Sequence, residues 1–255
     1  MQSLGVYQAL YLAIGFIASA LGSAAGAGGG FIAVPALAYS GLLIDFAVAN
    51  SKAMVFVNSV VATARYRNLF RGMWRLVIAS AIAMALTSYI GAYEVPRVPV
   101  NILKLVVSLA ILGGGIRLLI PRRNPSSRRS TRSRRWVVPL AGAVAGFIAG
   151  VTGLGGGVVL VPMLYSAGIE TMQCVAISIA CIAISSTTAL ARHIMDSLVL
   201  PHVAIPLCAG AVAGGFVGPA IARRLGRKGL LRVFIGATLC VASIKMLVTS
   251  LLSLV

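Results

Sequence analysis

Carboxylates are nearly missing from this chain. Asp45, Glu94, Glu170 and Asp196 are the four acidic residues among 255, and all lie near the ends of apolar stretches. No carboxylate sits in the middle of an apolar run, which argues against a cation site or a carboxylate proton relay at membrane depth. Charge of either sign is scarce: charged residues make up 10% of the chain and hydrophobic residues 59%. A soluble domain of this size needs far more charge to cover its surface. The four cysteines, Cys174, Cys181, Cys208 and Cys240, form no close CxxC pair and read as small buried hydrophobes. His193 and His202 lack metal-ligand spacing with other candidates, so no metal and no cofactor is expected. No Ser/His/Asp or Cys/His arrangement is readable, so the chain is not expected to be an enzyme. No secretory signal peptide is readable either, because the N-terminal stretch has no basic region before its apolar run.

What is present is long apolar sequence. A spanning helix needs about 20 apolar residues to cross a hydrocarbon core of roughly 30 Å. Five such segments fall in the first half, at 6–25, 31–43, 46–63, 75–92 and 99–120. Five fall in the second, at 137–151, 158–168, 172–190, 200–221 and 229–251. The second segment of each half is too short to cross comfortably. The net charge of +18 invites a nucleic-acid reading, but its placement rejects it. Arg122, Arg123, Arg128, Arg129, Arg132, Arg134 and Arg135 share one linker, and most other cations sit in short loops between apolar runs. That is the distribution of positive-inside charge, with a linker able to attract anionic lipid.

The two halves are copies. Gly26-Ala27-Gly28-Gly29-Gly30-Phe31-Ile32-Ala33-Val34-Pro35 aligns with Gly153-Leu154-Gly155-Gly156-Gly157-Val158-Val159-Leu160-Val161-Pro162, at an offset of 127 read from the shared GGG and VP. At that offset Gly41 meets Gly168, Ser51 meets Ser178, Ser59 meets Ser186 and Arg65 meets Arg192. Equivalent loops carry opposite charge bias. The loop after the third segment holds Arg65, Arg67, Arg71 and Arg75 in the first half, against Arg192 offset by Asp196 in the second. After the fourth segment the bias reverses: Glu94, Arg97 and Lys104 stand against Arg223, Arg224, Arg227, Lys228 and Arg232. The expectation is an all-α polytopic integral membrane protein made of two inverted-topology repeats with Gly-rich helix breaks. Residues 1–120 form the first repeat, 121–136 an Arg-rich cytoplasmic linker and 137–255 the second repeat, with both termini outside.

The glycine runs are not nucleotide loops: no strand precedes them, and no Lys-Ser/Thr pair or acidic ribose partner follows. Non-helical backbone at membrane depth needs protein or water around it, and helices starting after each loop would aim their free N–H groups and positive ends back at it. That geometry suits an anion. The expected loop contacts are Gly26, Gly28, Gly29 and Gly30 from one half, and Thr152, Gly153, Gly155, Gly156 and Gly157 from the other. Close helix packing is the competing role for these glycines. The third segments add polar groups that are costly in lipid. Asn50, Ser51, Lys52 and Asn58 are taken as site residues on the first, with Ser59 and Thr63 further along. Ser178 and Ser185 are taken on the second. Lys52, the one basic residue before Arg65, reads either as a substrate counter-charge or as a cation snorkelling to the interface.

The paired GxGGGxxxVP-type blocks, with the stretch from Asn50-Ser51-Lys52-Ala53 to Arg67 and the basic loop containing Gly72, resemble the TauE/SafE sulfite exporter family, also called the 4-toluene sulfonate uptake permease family. The resemblance covers nearly the whole chain apart from the Arg-rich linker. It implies transport of sulfite, sulfonates or related sulfur compounds, in a bacterial inner membrane. The chain departs from the family pattern where Ala25-Gly26-Ala27 replaces the Thr152-Gly153-Leu154 of the second block, so a symmetric site is in doubt. The leading expectation is a secondary transporter whose partners are a small anionic substrate and the lipid bilayer, with no nucleic acid. An anion channel and a non-transporting membrane scaffold or assembly protein are the alternatives.

Overall fold

The computed structural model describes residues 2–70, 72–94, 131–152, 156–228 and 230–252, with Ser108, Leu112, Gly115, Ile116 and Leu119 between them. Among the described residues the chain is helical, with no strand. In chain order the helices are α1 (Gln2–Ala25), α2 (Gly30–Tyr39), α3 (Ile44–Tyr66), α4 (Trp74–Glu94), α5 (Thr131–Thr152), α6 (Gly157–Ser166), α7 (Thr171–Met195), α8 (Pro201–Arg227) and α9 (Leu231–Leu252). A 3-10 turn, Arg67–Phe70, joins α3 to the loop before α4. The expected fifth segment at 99–120 and most of the linker lie largely outside the described residues. Helix α5 begins at Thr131, inside the expected linker, so its first turns carry arginines rather than apolar residues. A helix satisfies its own backbone whether or not lipid surrounds it, so the apolar run marks the membrane part of α5 and not its start.

The segments Tyr7–Ala25, Asp45–Phe70, Thr171–Met195 and Pro201–Arg227 are long and apolar enough to cross a membrane. The surface differs from that of a soluble protein. Ile82, Leu86 and Ile205 are 52%, 63% and 69% exposed, while Ser19, Ser23, Asn58, Ser59 and Ser80 are fully buried. Large aliphatic side chains on the outside with hydroxyls and amides on the inside are what a lipid solvent selects. This is an all-α polytopic membrane protein.

Helices α2 and α6 have 10 residues each, about 15 Å at 1.5 Å per residue, half of a typical hydrocarbon core. They begin at Gly30 and Gly157, and each has its proline (Pro35, Pro162) at the same position. Their C-terminal turns use Gly41 and Gly168, both at positive φ. The starts of α2, α3 and α4 (30, 44, 74) and of α6, α7 and α8 (157, 171, 201) differ by 127 in every case.

Small residues set the helix contacts. Gly210, Gly214 and Gly218 of α8 abut Leu12, Phe16 and Ser23 of α1, leaving no room for a Cβ. Gly142 and Gly146 of α5 sit in the same way against Ser80 and Met84 of α4. In both pairs the numbers rise together, so α1 runs with α8 and α4 with α5. Helix α3 also runs with α8: Asn50 bonds Leu200, Asn58 lies against Gly215, and the Arg65 carbonyl accepts from Arg223. Against α7 the numbers fall. Asn50 reaches Leu198, just past the end of α7, while Gly28 touches both Val55 of α3 and Ile182 of α7. Helices α3 and α7 therefore run in opposite senses through the centre of the molecule.

Candidate functional site

The first glycine loop is a tight reversal between α1 and α2. Gly26, Gly28 and Gly29 have φ of 77°, 79° and 94°, values that an L side chain rarely adopts. The amides of Ala27 and Gly28 both donate to the Gly22 carbonyl, at 2.8 and 3.1 Å. The loop carbonyls are held by the long central helices. Ser178 Oγ of α7 donates to the Gly26 carbonyl at 2.6 Å, and Asn58 Nδ2 of α3 donates to that of Gly28 at 2.9 Å. The Gly29 carbonyl accepts from Ile32 and Ala33, and Gly30 opens α2.

The two loops come together. Gly157, at the head of α6, lies against the Gly26 carbonyl and the Ala27 Cα. Around them the neighbours are aliphatic. A Cβ at Gly26 would meet Val161 Cγ2 at 2.9 Å and the Val175 Cα at 3.0 Å, and one at Gly28 would meet Val55 at 3.1 Å and Ile182 at 3.4 Å. In the second loop Gly156 has φ −69° and sits over Met84 and the Ala145 carbonyl. Gly153 and Gly155 lie outside the described residues, as does the side chain of Thr152.

Several of the expected polar site residues carry structural hydrogen bonds. Asn50 ties α3 to the connection between α7 and α8: its Oδ1 accepts from the Leu200 amide at 3.1 Å, and its Nδ2 donates to Phe46 at 2.7 Å and Leu198 at 3.4 Å. Ser51 donates to Val48 one turn back, and Ser185 does the same to Ile182.

Other polar groups have no such use. Lys52 is buried, at 8% exposure, and no hydrogen bond or ion pair reaches its ammonium among the described residues. Asn58 Oδ1, Ser59 Oγ and Thr63 Oγ1 are buried without a hydrogen-bond partner among the described residues. Lys52, Ser59 and Thr63 stand at i, i+7 and i+11, which puts them on one face of α3. Near the end of α7, the His193 Nδ1 is likewise buried and unpartnered among the described residues. Site selection from the sequence passed over Ser59, Thr63 and His193. The helical spacing from Lys52 was a readable signal for the first two. His193 had none, since only the fold decides which ring nitrogen is buried.

A profile of the family described as "Sulfite exporter TauE/SafE" matches residues 11–246. The chain belongs to the TauE/SafE sulfite exporter family. It is 30% identical to a probable membrane transporter protein of Sinorhizobium fredii over 252 residues, covering 94% of this chain and 98% of that one. It is also 30% identical to a probable membrane transporter protein of Methanocaldococcus jannaschii over 193 residues, 72% of each chain. A probable membrane transporter protein of Haemophilus influenzae is 24% identical over 184 residues, 68% of each chain. No solved structure matches the chain. Membership of the TauE/SafE family and these relatives mark the chain as a membrane transporter.

Proposed function

We propose that this TauE/SafE protein is a secondary transporter of a small anion, a sulfur oxyanion or organosulfonate, and that Lys52 supplies the charge that holds it. The observation that carries this reading is the buried Lys52 side chain, whose ammonium meets no hydrogen bond or ion pair among the described residues. Burying an isolated cation costs several kcal/mol even after relaxation. An anion beside it offsets that cost. Snorkelling accounts poorly for the same lysine, because a snorkelling cation keeps its head in water, and Lys52 lies about 12 Å along α3 from the start at Ile44. Asn58, Ser59 and Thr63 extend the site along the same helix. The Ser59 and Thr63 hydroxyls can donate to anionic oxygens, whereas the free Asn58 Oδ1 only accepts and suits a substrate hydroxyl or amine. The glycine loops act in this reading mainly as close-packed corners that fix where α2 and α6 begin. The family's printed description, sulfite exporter, supports a sulfur oxyanion as cargo.

The two halves are further read as inverted-topology repeats in an inner membrane, with the linker cytoplasmic and both termini outside. Support comes from the constant spacing of 127 between element starts and from the opposite senses of α3 and α7. The substrate site then lies between equivalent helices of the two repeats, as in other secondary transporters. Cysteines placed at Ser127 and Ser197, on a background without native cysteines, test the orientation. Ser127 should label from the cytoplasm and Ser197 from outside, and labelling of both from one side ends the inverted-repeat reading.

Binding of sulfite, thiosulfate and isethionate to the purified protein tests the cargo. A ligand raises the melting temperature by mass action, and Lys52→Gln should weaken that binding more than tenfold, about 1.4 kcal/mol, while the protein stays folded. Undiminished affinity in Lys52→Gln removes the lysine from the site.

A further inference from the structure

We infer that the seam between α3 and α8 holds one anionic phospholipid, with its phosphate on Arg65 and Arg223 and an acyl chain along Val212 and Phe216. Val212, Phe216, Arg223 and Arg227 follow one another on α8 at intervals of 4, 7 and 4 residues. At about 100° per residue they share one strip of the helix surface. All four are exposed. From Val212 to Arg223 the strip is about 16 Å long at 1.5 Å per residue, close to one leaflet of a hydrocarbon core of roughly 30 Å. Arg223 stands 22 residues beyond Pro201, about 33 Å along α8, so its guanidinium reaches the depth of the headgroups. Trp74, exposed at the start of α4, lies at the same end of the bundle, and tryptophan favours that depth.

Arg65 joins the strip from α3. Its guanidinium lies 5.8 Å from the Phe216 ring, and its main-chain carbonyl accepts from Arg223 Nη2. Neither contact uses up the donors. A guanidinium has five N–H groups, and a place over a ring leaves those at its edge free. Two such groups held together suit a phosphodiester, whose oxygens accept paired N–H bonds. Most of the carboxylates that could neutralise them are at the other end of the bundle. Asp45 is in the first turn of α3, Glu94 closes α4 and Asp196 follows α7. Glu170, at the start of α7, makes no ion pair with either arginine among the described residues. A positive membrane face attracts anionic lipid in general. The pinned pair of arginines, with an exposed apolar strip leading away from it into the hydrocarbon, selects one position and an amphiphile rather than a soluble anion. Arg65 is 13 residues beyond Lys52, about 20 Å along α3, so this lipid and the transported substrate occupy different places.

The test titrates the whole protein in detergent with phosphatidylglycerol or phosphatidylcholine of equal chain length. Native mass spectrometry reads how many lipids each folded molecule keeps and how tightly. The first phosphatidylglycerol should bind several-fold more tightly than the later ones and than the first phosphatidylcholine. Arg65→Gln should lose most of that preference, and Arg65→Gln combined with Arg223→Gln all of it. The single variant keeps the bond to the Arg65 main-chain carbonyl, so its loss is not one of helix docking, and thermal unfolding without lipid checks that both variants are folded. Arg75→Gln removes the same charge at the same end, from α4, which packs mainly on α5 and α7, and should keep the preference. Equal affinity for the two lipids overturns the inference. So does a loss in Arg75→Gln as large as that in Arg65→Gln, which would make the effect one of overall charge. Displacement of the first phosphatidylglycerol by inorganic phosphate would make the arginines a soluble-anion site, and a dimer that forms in place of lipid retention would give the strip to a second copy of the chain. Either result overturns the lipid assignment.

Discussion

Helices α3 and α7 occupy equivalent places in the two halves, yet they differ in kind. The offset of 127 sets Asn50 against Ile177, Lys52 against Ile179, Asn58 against Ser185, and Thr63 against Leu190. Ile177, Ile179 and Ile182 of α7 are fully or almost fully buried, in the apolar core that includes Val158, Leu160 and Leu164 of α6. On α3 the Lys52 face carries a cation and two hydroxyls, Ser59 and Thr63, and the Asn58 amide oxygen stands on a neighbouring face; the oxygens have no protein partner among the described residues. The scaffold of helix starts and glycine corners repeats between the halves. In the proposed reading the chemistry is concentrated on α3 and α7 mainly packs, which would give the site one charged wall and one apolar wall.

The glycine corners give the comparison its strongest test. Gly29 has φ 94°, and a Cβ there would run into the Ala18 carbonyl, a backbone atom that cannot step aside. Gly29→Val therefore adds left-handed strain of about 1–3 kcal/mol to an overpacking cost of about 1–3 kcal/mol. Gly156 has ordinary helical φ of −69°, and the nearest atom to an added Cβ is the end of the flexible Met84 side chain, with the Ala145 carbonyl next at 2.8 Å. Gly156→Val should cost the overpacking part alone. Thermal unfolding in detergent should show the larger loss at Gly29. Equal losses would mean that the two corners are more alike than their backbones indicate.

The second test exchanges the chemistry of the helices. Lys52→Gln should lower anion affinity more than tenfold and leave thermal stability equal or higher, because an unpaired buried charge is removed. Ile179→Gln places an unsatisfied amide in the apolar core and should cost about 1–3 kcal/mol of stability. Its anion affinity should hold. A drop in affinity for Ile179→Gln comparable to that of Lys52→Gln would make the site symmetric and refute the division of labour between the copies.

Much of this fold was legible in the sequence because its causes are local. Apolar runs gave the helices, and the GGGxxxVP blocks gave the offset at which α2, α3 and α4 repeat as α6, α7 and α8. The start of α5 was not legible: its first turns, with Arg132, Arg134 and Arg135, carry no hydrophobic signal, and helix formation does not need one. At the site, Lys52 was conspicuous by its charge in an apolar run. Whether Asn50 or Asn58 was free to bind anything could not be read, since that depends on partners from other segments: Leu200 claims Asn50, and the Gly28 carbonyl takes only half of Asn58. The glycine loops illustrate the same limit. Their composition predicts free amides facing a ligand, and only the fold tells which amides are taken, as those of Ala27 and Gly28 are by the Gly22 carbonyl.

The smallest expected effects come from the equivalent arginines at opposite ends of the central pair. Arg65 ends α3 with its guanidinium 5.8 Å from the Phe216 ring, while Arg192 pairs with Asp196. An exposed cation–π contact contributes about 0.5–1 kcal/mol, and an exposed ion pair about 0–1 kcal/mol. Arg65→Ala keeps the bond from Arg223, which goes to the Arg65 backbone carbonyl, so both alanine variants should melt within a few degrees of wild type. A larger loss in either variant, read by thermal unfolding in detergent, would show that the ends of the central pair carry more than an exposed contact.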